Sequence, residues 1–401
     1  MENALMPTAP RFALAALLAL SLPAATLAGK PGGGGPTQPP PPPPVIYELT
    51  WLGAFGGASS AALDNNDLGQ VVGTAALNDG SLRAFIYAPG VGMQDLNNVT
   101  GADELGWVLT KAAGINNAGQ ITGTGLRDGQ TRAYRYSPPA IDPESGSVIP
   151  ATIDDLGILD PTHTASRGRS INAWGDVAGV SEDANRKMHP FLAVAGENAV
   201  GFAPAGYTAM DPTGLAVNDF GQVVGQFNDG TMKFWSFRYS PMADQTWEEF
   251  GPLVKPRKGY GSSRARDINE YGEFCGSATV ADGSRRAYLY TDGAGMKDLG
   301  AGAGSDAWVL NNPDPANGLG STIVGQLPQS TKDGVIRNRA FIYRDDWGVV
   351  ALDSAVTGTS GDLATWHAAT IIEPRSINDD GQICGQVGRD QQAFVLTPLE
   401  L

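Results

Sequence analysis

Histidine and cysteine are scarce in this 401-residue chain, at three and two residues. His163, His189 and His367 include no two at metal-ligand spacing, and no cysteine joins them, so no metal centre is expected. Basic residues are few as well: 27 Lys and Arg face 42 Asp and Glu, for a formal net charge of -15. Phosphate backbones and anionic membrane surfaces both attract clustered Lys and Arg, so neither is an expected partner. The chain has no EF-hand loop, no phosphate-cradling glycine motif and no aspartate box, and Gly57-Ala58-Ser59 does not continue into a nucleophile elbow. No catalytic residue and no cofactor is therefore expected. Helical periodicity is missing throughout.

Glycine, by contrast, is abundant at 53 residues, and the two ends differ sharply in character. Arg11 precedes the apolar run Phe12 to Leu27, and Thr26-Leu27-Ala28 offers small residues where a signal peptidase reads. Pro23 interrupts the run, which is short for a span of about 20 residues, so residues 1–28 are expected to be a cleaved signal peptide rather than an anchor. No membrane span is expected after cleavage, and the destination is the cell exterior or the periplasm. Residues 29–45 form a Gly- and Pro-rich spacer in which Pro39 to Pro44 should extend as polyproline II, about 3.1 Å per residue.

Residues 46–401 repeat. Ile115 to Gly123 (INNAGQITG), 171–179 (INAWGDVAG), 217–225 (VNDFGQVVG), 268–276 (INEYGEFCG) and 377–385 (INDDGQICG) align without gaps. A sixth copy runs Asn66 to Gly73, and a seventh, degenerate one ends in GSTIVG at 320–325. The Asn caps a tight turn through its side chain, the glycine three residues on takes a positive φ, and the closing glycine permits close approach of a neighbouring blade. Downstream lies a strand of period two with one pattern: Arg83-Ala84-Phe85, RAY at 132–134 and 286–288, RAF at 339–341, HPF at 189–191, QAF at 392–394. A short strand ending in Asp95, Asp155, Asp298 or Asp353 follows, the aspartate being a turn cap.

At these tripeptides the chain resembles the HAF-repeat family of extracellular bacterial proteins, over about residues 46 to 401. The resemblance implies an exported repeat protein and carries over no catalytic residue.

Four-stranded units expose edges, which radial closure removes. The last repeat stops after its third strand, and Tyr47 to Leu52 resembles a stray fourth strand. The expected fold is therefore all-β: a seven-bladed β-propeller of four-stranded antiparallel blades, closed by an N-terminal strand that completes the last blade. Cys275 and Cys384 fall in one repeat column, two blades apart, so they are expected to be free thiols despite export.

Departures from the repeat are where function is sought. The longest join strand D to the next strand A and share one face. They contain or adjoin Trp107, His163, Arg167, Tyr260, Trp308, Trp366 and His367, candidates for stacking on a sugar or gripping a partner if exposed; the alternative for the tryptophans is that they plug blade interfaces or the channel. The expected function is a non-catalytic, monomeric binding or surface-scaffold module for a glycan or an extracellular protein. The alternative is a secreted hydrolase or lyase with its site at the channel mouth.

Overall fold

Each repeat folds into four antiparallel strands, A to D from the ring centre outward, and seven such blades close a β-propeller in a computed structural model. The structure describes residues 46–399 apart from 144, 210–213, 229, 231–233, 242–244, 257, 258, 260, 317, 331–335, 359, 370, 371 and 389–391. The A strands, Gly56–Asn65, Trp107–Ile115, Ala165–Ile171, Ala216–Val217, Ser263–Ile268, Asp306–Leu310 and Ile372–Ile377, surround the central channel. Because strands alternate in direction, the A–B and C–D turns emerge on one face. The B–C turns and D–A connections emerge on the other.

The ends of the domain meet as the repeat register requires. Ile46–Gly53 pairs antiparallel with Gln392–Leu399, with Tyr47 opposite Pro398, Leu49 opposite Leu396 and Gly53 opposite Ala393. The first strand is thus strand D of blade 7, and no edge is left where the ring closes.

The closing glycine has a cause internal to each blade. Gly73, Gly123, Gly179, Gly225, Gly276, Gly325 and Gly385 on strand B lie opposite Phe85, Tyr134, Phe191, Phe237, Tyr288, Phe341 and Phe394 on strand C. All seven rings are fully buried. A Cβ on Gly179 would come within 2.5 Å of the Arg167 carbonyl oxygen on strand A and would collide with the Phe191 ring. The glycine therefore makes room for an aromatic ring and a carbonyl of its own blade, rather than for the neighbouring blade.

The asparagine column does more than cap turns. Asn116 Oδ1 accepts from the Ala118 and Gln120 amides at 3.1 and 2.9 Å, as turn capping demands. Its Nδ2 then donates to the carbonyl of Asn172 in the next blade, 2.9 Å away. The same bond links Asn66 to Asn116, Asn172 to Asn218, Asn218 to Asn269, Asn269 to Asn311, Asn311 to Asn378, and Asn378 back to Asn66. Seven side chains thus form an unbroken hydrogen-bonded ring at the A–B end of the channel.

Two departures interrupt the regularity. The expectation of no helix is corrected by Ser360–Ala368 and the short Leu96–Thr100, both in D–A connections. Neither shows a long apolar stripe; Asp95 caps the second, its side chain accepting from the Asn97 amide. Blades 3 and 4 are also hydrogen-bonded to each other through Thr208–Ala209, which pairs with both Met188 and Asn228–Phe227. Ala209-Met210-Asp211 repeats the short strand ending in aspartate in the sequence, and its Met210 and Asp211 lie outside the described residues. No helix among the described residues is long and apolar enough to cross a membrane.

Candidate functional site

The channel wall is built by a recurring irregularity. In six blades the A strand carries a β-bulge three residues before the ring asparagine, and the unpaired residues are Leu63, Ala113, Arg169, Arg266, Trp308 and Arg375. A bulge frees one residue from the ladder and re-aims its side chain. All six line a channel cavity of about 340 Å³. Lys111, two residues upstream of Ala113, lines it too.

Its electrostatics oppose those of the whole chain. Lys111 makes no ion pair with a described carboxylate, and its electrostatic neighbours are Arg169, Arg375 and Arg167. Burial, then these three guanidinium groups, lower its pKa to about 7. Trp308 is flanked by guanidinium groups from the blades on either side: Arg266 at 4.4 Å and Arg375 at 4.5 Å from the ring centroid. Asp306 accepts from Nε and Nη2 of Arg266 at 3.0 and 2.8 Å, and Glu373 accepts from Nη2 of Arg375 at 2.5 Å. A second cavity of about 380 Å³, opening toward the D–A face between blades 5 and 6, shares Arg266 and Trp308 and adds Arg264 and Arg285.

Two wall carboxylates have raised pKa values. Burial pushes Asp64 up to about 6 and Asp267 up to about 7, against the opposing effect of their hydrogen bonds. Asp64 accepts from the Asn65 and Ile115 amides and from the Ser376 hydroxyl, at 3.0, 2.8 and 2.7 Å. Asp267 accepts from the Ile268 and Leu310 amides, both at 3.0 Å. In both residues each carboxylate oxygen is engaged by a backbone N–H, and each residue joins its own blade to the next. Both carboxylates thus tie neighbouring blades together through their acceptor oxygens.

The sequence-derived candidates separate. Trp107 and Trp366 are corrected: both are fully buried. The Trp107 ring packs edge-on against Tyr134, and Trp366 packs against Phe394 while its Nε1 donates to Asp353 at 2.9 Å. Neither offers a face to a ligand. His163 Nδ1 lies 2.7 Å from the buried Ser181 hydroxyl, which also accepts from the Leu159 amide. The His163 ring lies tilted against His189, with centroids 4.9 Å apart, so it is held against blade 3. Arg167 pairs with Glu182 at 2.6 Å and belongs to the cationic surroundings of Lys111. His367 is exposed on the helix over blade 7. Tyr260 lies outside the described residues. Among the described candidates only Trp308 lines the channel cavity, next to Arg266 and Arg375, while Arg167 lies near its Lys111.

Lys111, Arg169, Arg266 and Arg375 escaped the sequence reading, which ended its repeat alignment at the turn. The signal was present: three residues before each ring asparagine the chain holds Leu63, Ala113, Arg169, Leu215, Arg266, Trp308 and Arg375. The aspartate column behaves as read, since Asp155 and Asp298 each accept from the amide two residues on, at 2.9 and 2.8 Å. Asp298 and Asp353 also pair with the arginines of the tripeptides, Arg286 at 3.3 Å and Arg339 at 2.5 Å. Both cysteines are free and fully buried, as the register requires, and burial pushes both thiols up.

No protein-family model and no curated sequence matches the chain. Among solved structures, the β-propeller domain of the trilobed protease from Pyrococcus furiosus is similar over 89% of this chain and 98% of its own, with a TM-score of 0.47 and 10% identity. AofleA from Arthrobotrys oligospora is similar over 79% and 93%, at a TM-score of 0.37 and 10% identity. The gluconolactonase XC5397 from Xanthomonas campestris is similar over 90% and 98%, at 0.32 and 11%. The likeness concerns the fold and extends no further.

Proposed function

We propose that this chain is an exported, non-catalytic binding module that takes a small ligand into its central channel. Export is supported by the apolar run Phe12 to Leu27 behind Arg11 and by the HAF-like tripeptides. The channel, rather than the D–A loop face, is favoured by one observation. Six A-strand bulges direct side chains into a single cavity, and four of those side chains are arginine or tryptophan. Closing the ring does not need them, because Leu63 and Ala113 occupy the same place in other blades. A non-catalytic role is supported by the two wall carboxylates, whose oxygens are already engaged by backbone amides.

The test is a glycan and metabolite screen by native mass spectrometry on the chain and on two variants. Ala113→Phe fills the cavity from the wall, whereas His367→Ala alters the opposite candidate, the D–A face. Ligands should be lost in the first and retained in the second. Retention in Ala113→Phe with loss in His367→Ala would return the site to the loop face. Release of product from glycosides or esters, at a rate abolished by Ala113→Phe, would replace this reading with the hydrolase one.

A further inference from the structure

We propose that the A–B face carries a docking site for an extended basic segment of a partner protein, whose Arg or Lys side chains lie on a row of Trp174, Phe220 and Tyr271. These three residues occupy one repeat position, two after the ring asparagine, in blades 3, 4 and 5. All are exposed, at 65%, 50% and 58%. The turns that bear them touch: the Ala173 amide donates to Asp219 Oδ1 and the Asp219 amide to Glu270 Oε2, both at 2.7 Å. The aromatic residues follow these three directly in sequence, so they issue from neighbouring points along the A–B rim of the channel. The fold does not ask for them, since Leu68, Ala118 and Asp380 hold the same position in blades 1, 2 and 7. Their backbone is nevertheless firmly held. Buried Arg135 donates to the Gly175 carbonyl of the next blade at 3.0 Å, and buried Arg238 to the Gly272 carbonyl at 3.4 Å. Ile86, Leu192, Leu289, Ile342 and Val395 stand at the arginine position in the other blades, so this staple serves the turns of Trp174 and Tyr271.

The charge of the partner follows from the surroundings. The turns 172–176, 218–222 and 269–273 hold Asp176, Asp219, Glu270 and Glu273 and no Lys or Arg. Burial pushes Glu270 up to about 7, and the charges of Asp219, Asp379 and Asp267 push the same way. Arg135 and Arg238 do not neutralise this rim, because the first is paired with Asp154 and the second with Glu248 and Asp292. An aromatic face attracts a cation, and a carboxylate beside it completes a charge-assisted hydrogen bond. Side chains issuing from three blades are spread along an arc, which suits an extended segment rather than one small cation. A second copy of this chain would bring the same acidic rim against this one and be repelled. A neutral glycan would leave the carboxylates without a counter-charge.

Calorimetry on the whole chain at pH 8, where Glu270 is ionised, tests this with hexa-arginine, hexaglutamate and cellohexaose. Hexa-arginine should bind, more weakly as salt rises, and the other two should not. The double variant Trp174→Ala/Tyr271→Ala leaves every charge in place and adopts the residue of blade 2. Its affinity for hexa-arginine should fall about tenfold, with Tm unchanged. Glu270→Gln, which keeps an acceptor oxygen for the Asp219 amide, should weaken binding as well. Ala113→Phe, which fills the channel, should not, so the channel reading stands or falls separately. Hexa-arginine bound equally by the double variant shows only diffuse attraction to an acidic chain and overturns the proposal, as does failure of hexa-arginine to bind. Cellohexaose bound by the wild type and lost in the double variant would make the rim a glycan site. Dimerisation lost in that variant, read by ultracentrifugation, would make it a self-interface. Either result overturns the basic partner.

Discussion

Asparagine is the one residue type that can serve its column. The Oδ1 of Asn116 closes its own turn, and the Nδ2 reaches the next blade. Aspartate would keep the first bond and lose the second, since a carboxylate has no N–H to donate. Asn116→Asp should therefore destabilise the domain by about 1–3 kcal/mol, because a carboxylate oxygen then faces the Asn172 carbonyl and Gln120 Oε1 with no proton to donate, and that carbonyl keeps only the Gly175 amide. Urea unfolding checks this, and a midpoint equal to wild type would show that the ring carries no weight. Asp64 and Asp267 give a second residue-scale expectation. Their folded pKa values, about 6 and about 7, lie above the usual carboxylate value near 3.9. Between about pH 4 and 7 the folded state thus binds more protons than the unfolded state, and these groups contribute less stability as pH rises. The stability of Asp64→Asn/Asp267→Asn relative to wild type should climb across that window and level off above about pH 7. A difference that is flat with pH would contradict the assignment.

At the scale of the element, the A strand answers to two demands. Its inward face must tile a channel, and its outward face must pack beneath the strand B glycine and the strand C ring. A regular strand alternates sides strictly, so a bulge is the means of placing Arg169, Arg266, Trp308 and Arg375 in the channel while keeping Ile171, Ile268, Leu310 and Ile377 buried. The strand B glycine is equally constrained: in Gly276→Ala the new Cβ would overlap the Arg264 carbonyl on strand A. That substitution should cost on the order of 3 kcal/mol, at the upper end of overpacking changes, because a backbone atom cannot step aside. Because Gly276 does not have a left-handed φ, thermal melting of Gly276→Ala reads the packing cost directly, and a melting temperature equal to wild type would contradict it.

For the molecule as a whole, closure is the controlling event. Tyr47, Leu49 and Leu52 are buried once strand Ile46–Gly53 joins blade 7, and the Asn378–Asn66 bond completes the ring next to it. Removing residues 46–53 opens an edge in blade 7 and exposes the apolar surface that Trp366, Phe394 and Leu396 share with it. The truncated domain should melt at a clearly lower temperature, and self-association through the free edge should accompany it. A truncated domain that melts like the intact one would mean the closing strand is dispensable.

The sequence by itself determined what repetition can encode. Each copy carries the Asn, the glycine and the aromatic tripeptide because each blade solves the same packing problem. Their register therefore counted the blades, placed the closing strand opposite Ala393 to Leu396 and kept the two cysteines apart. The tertiary structure alone decided what depends on contacts between copies. Asn Nδ2 bonds, Asp64 to Ile115 and the Arg266–Trp308–Arg375 row all join residues 40 or more positions apart in the chain, where no local pattern reveals a partner. Burial was undecidable for the same reason: Trp107 and Trp366 sit at irregular segments that look like loops, yet the neighbouring rings Tyr134 and Phe394 enclose them. The cationic channel in an acidic protein exists only because closing the ring turns one column of seven scattered residues toward a common centre.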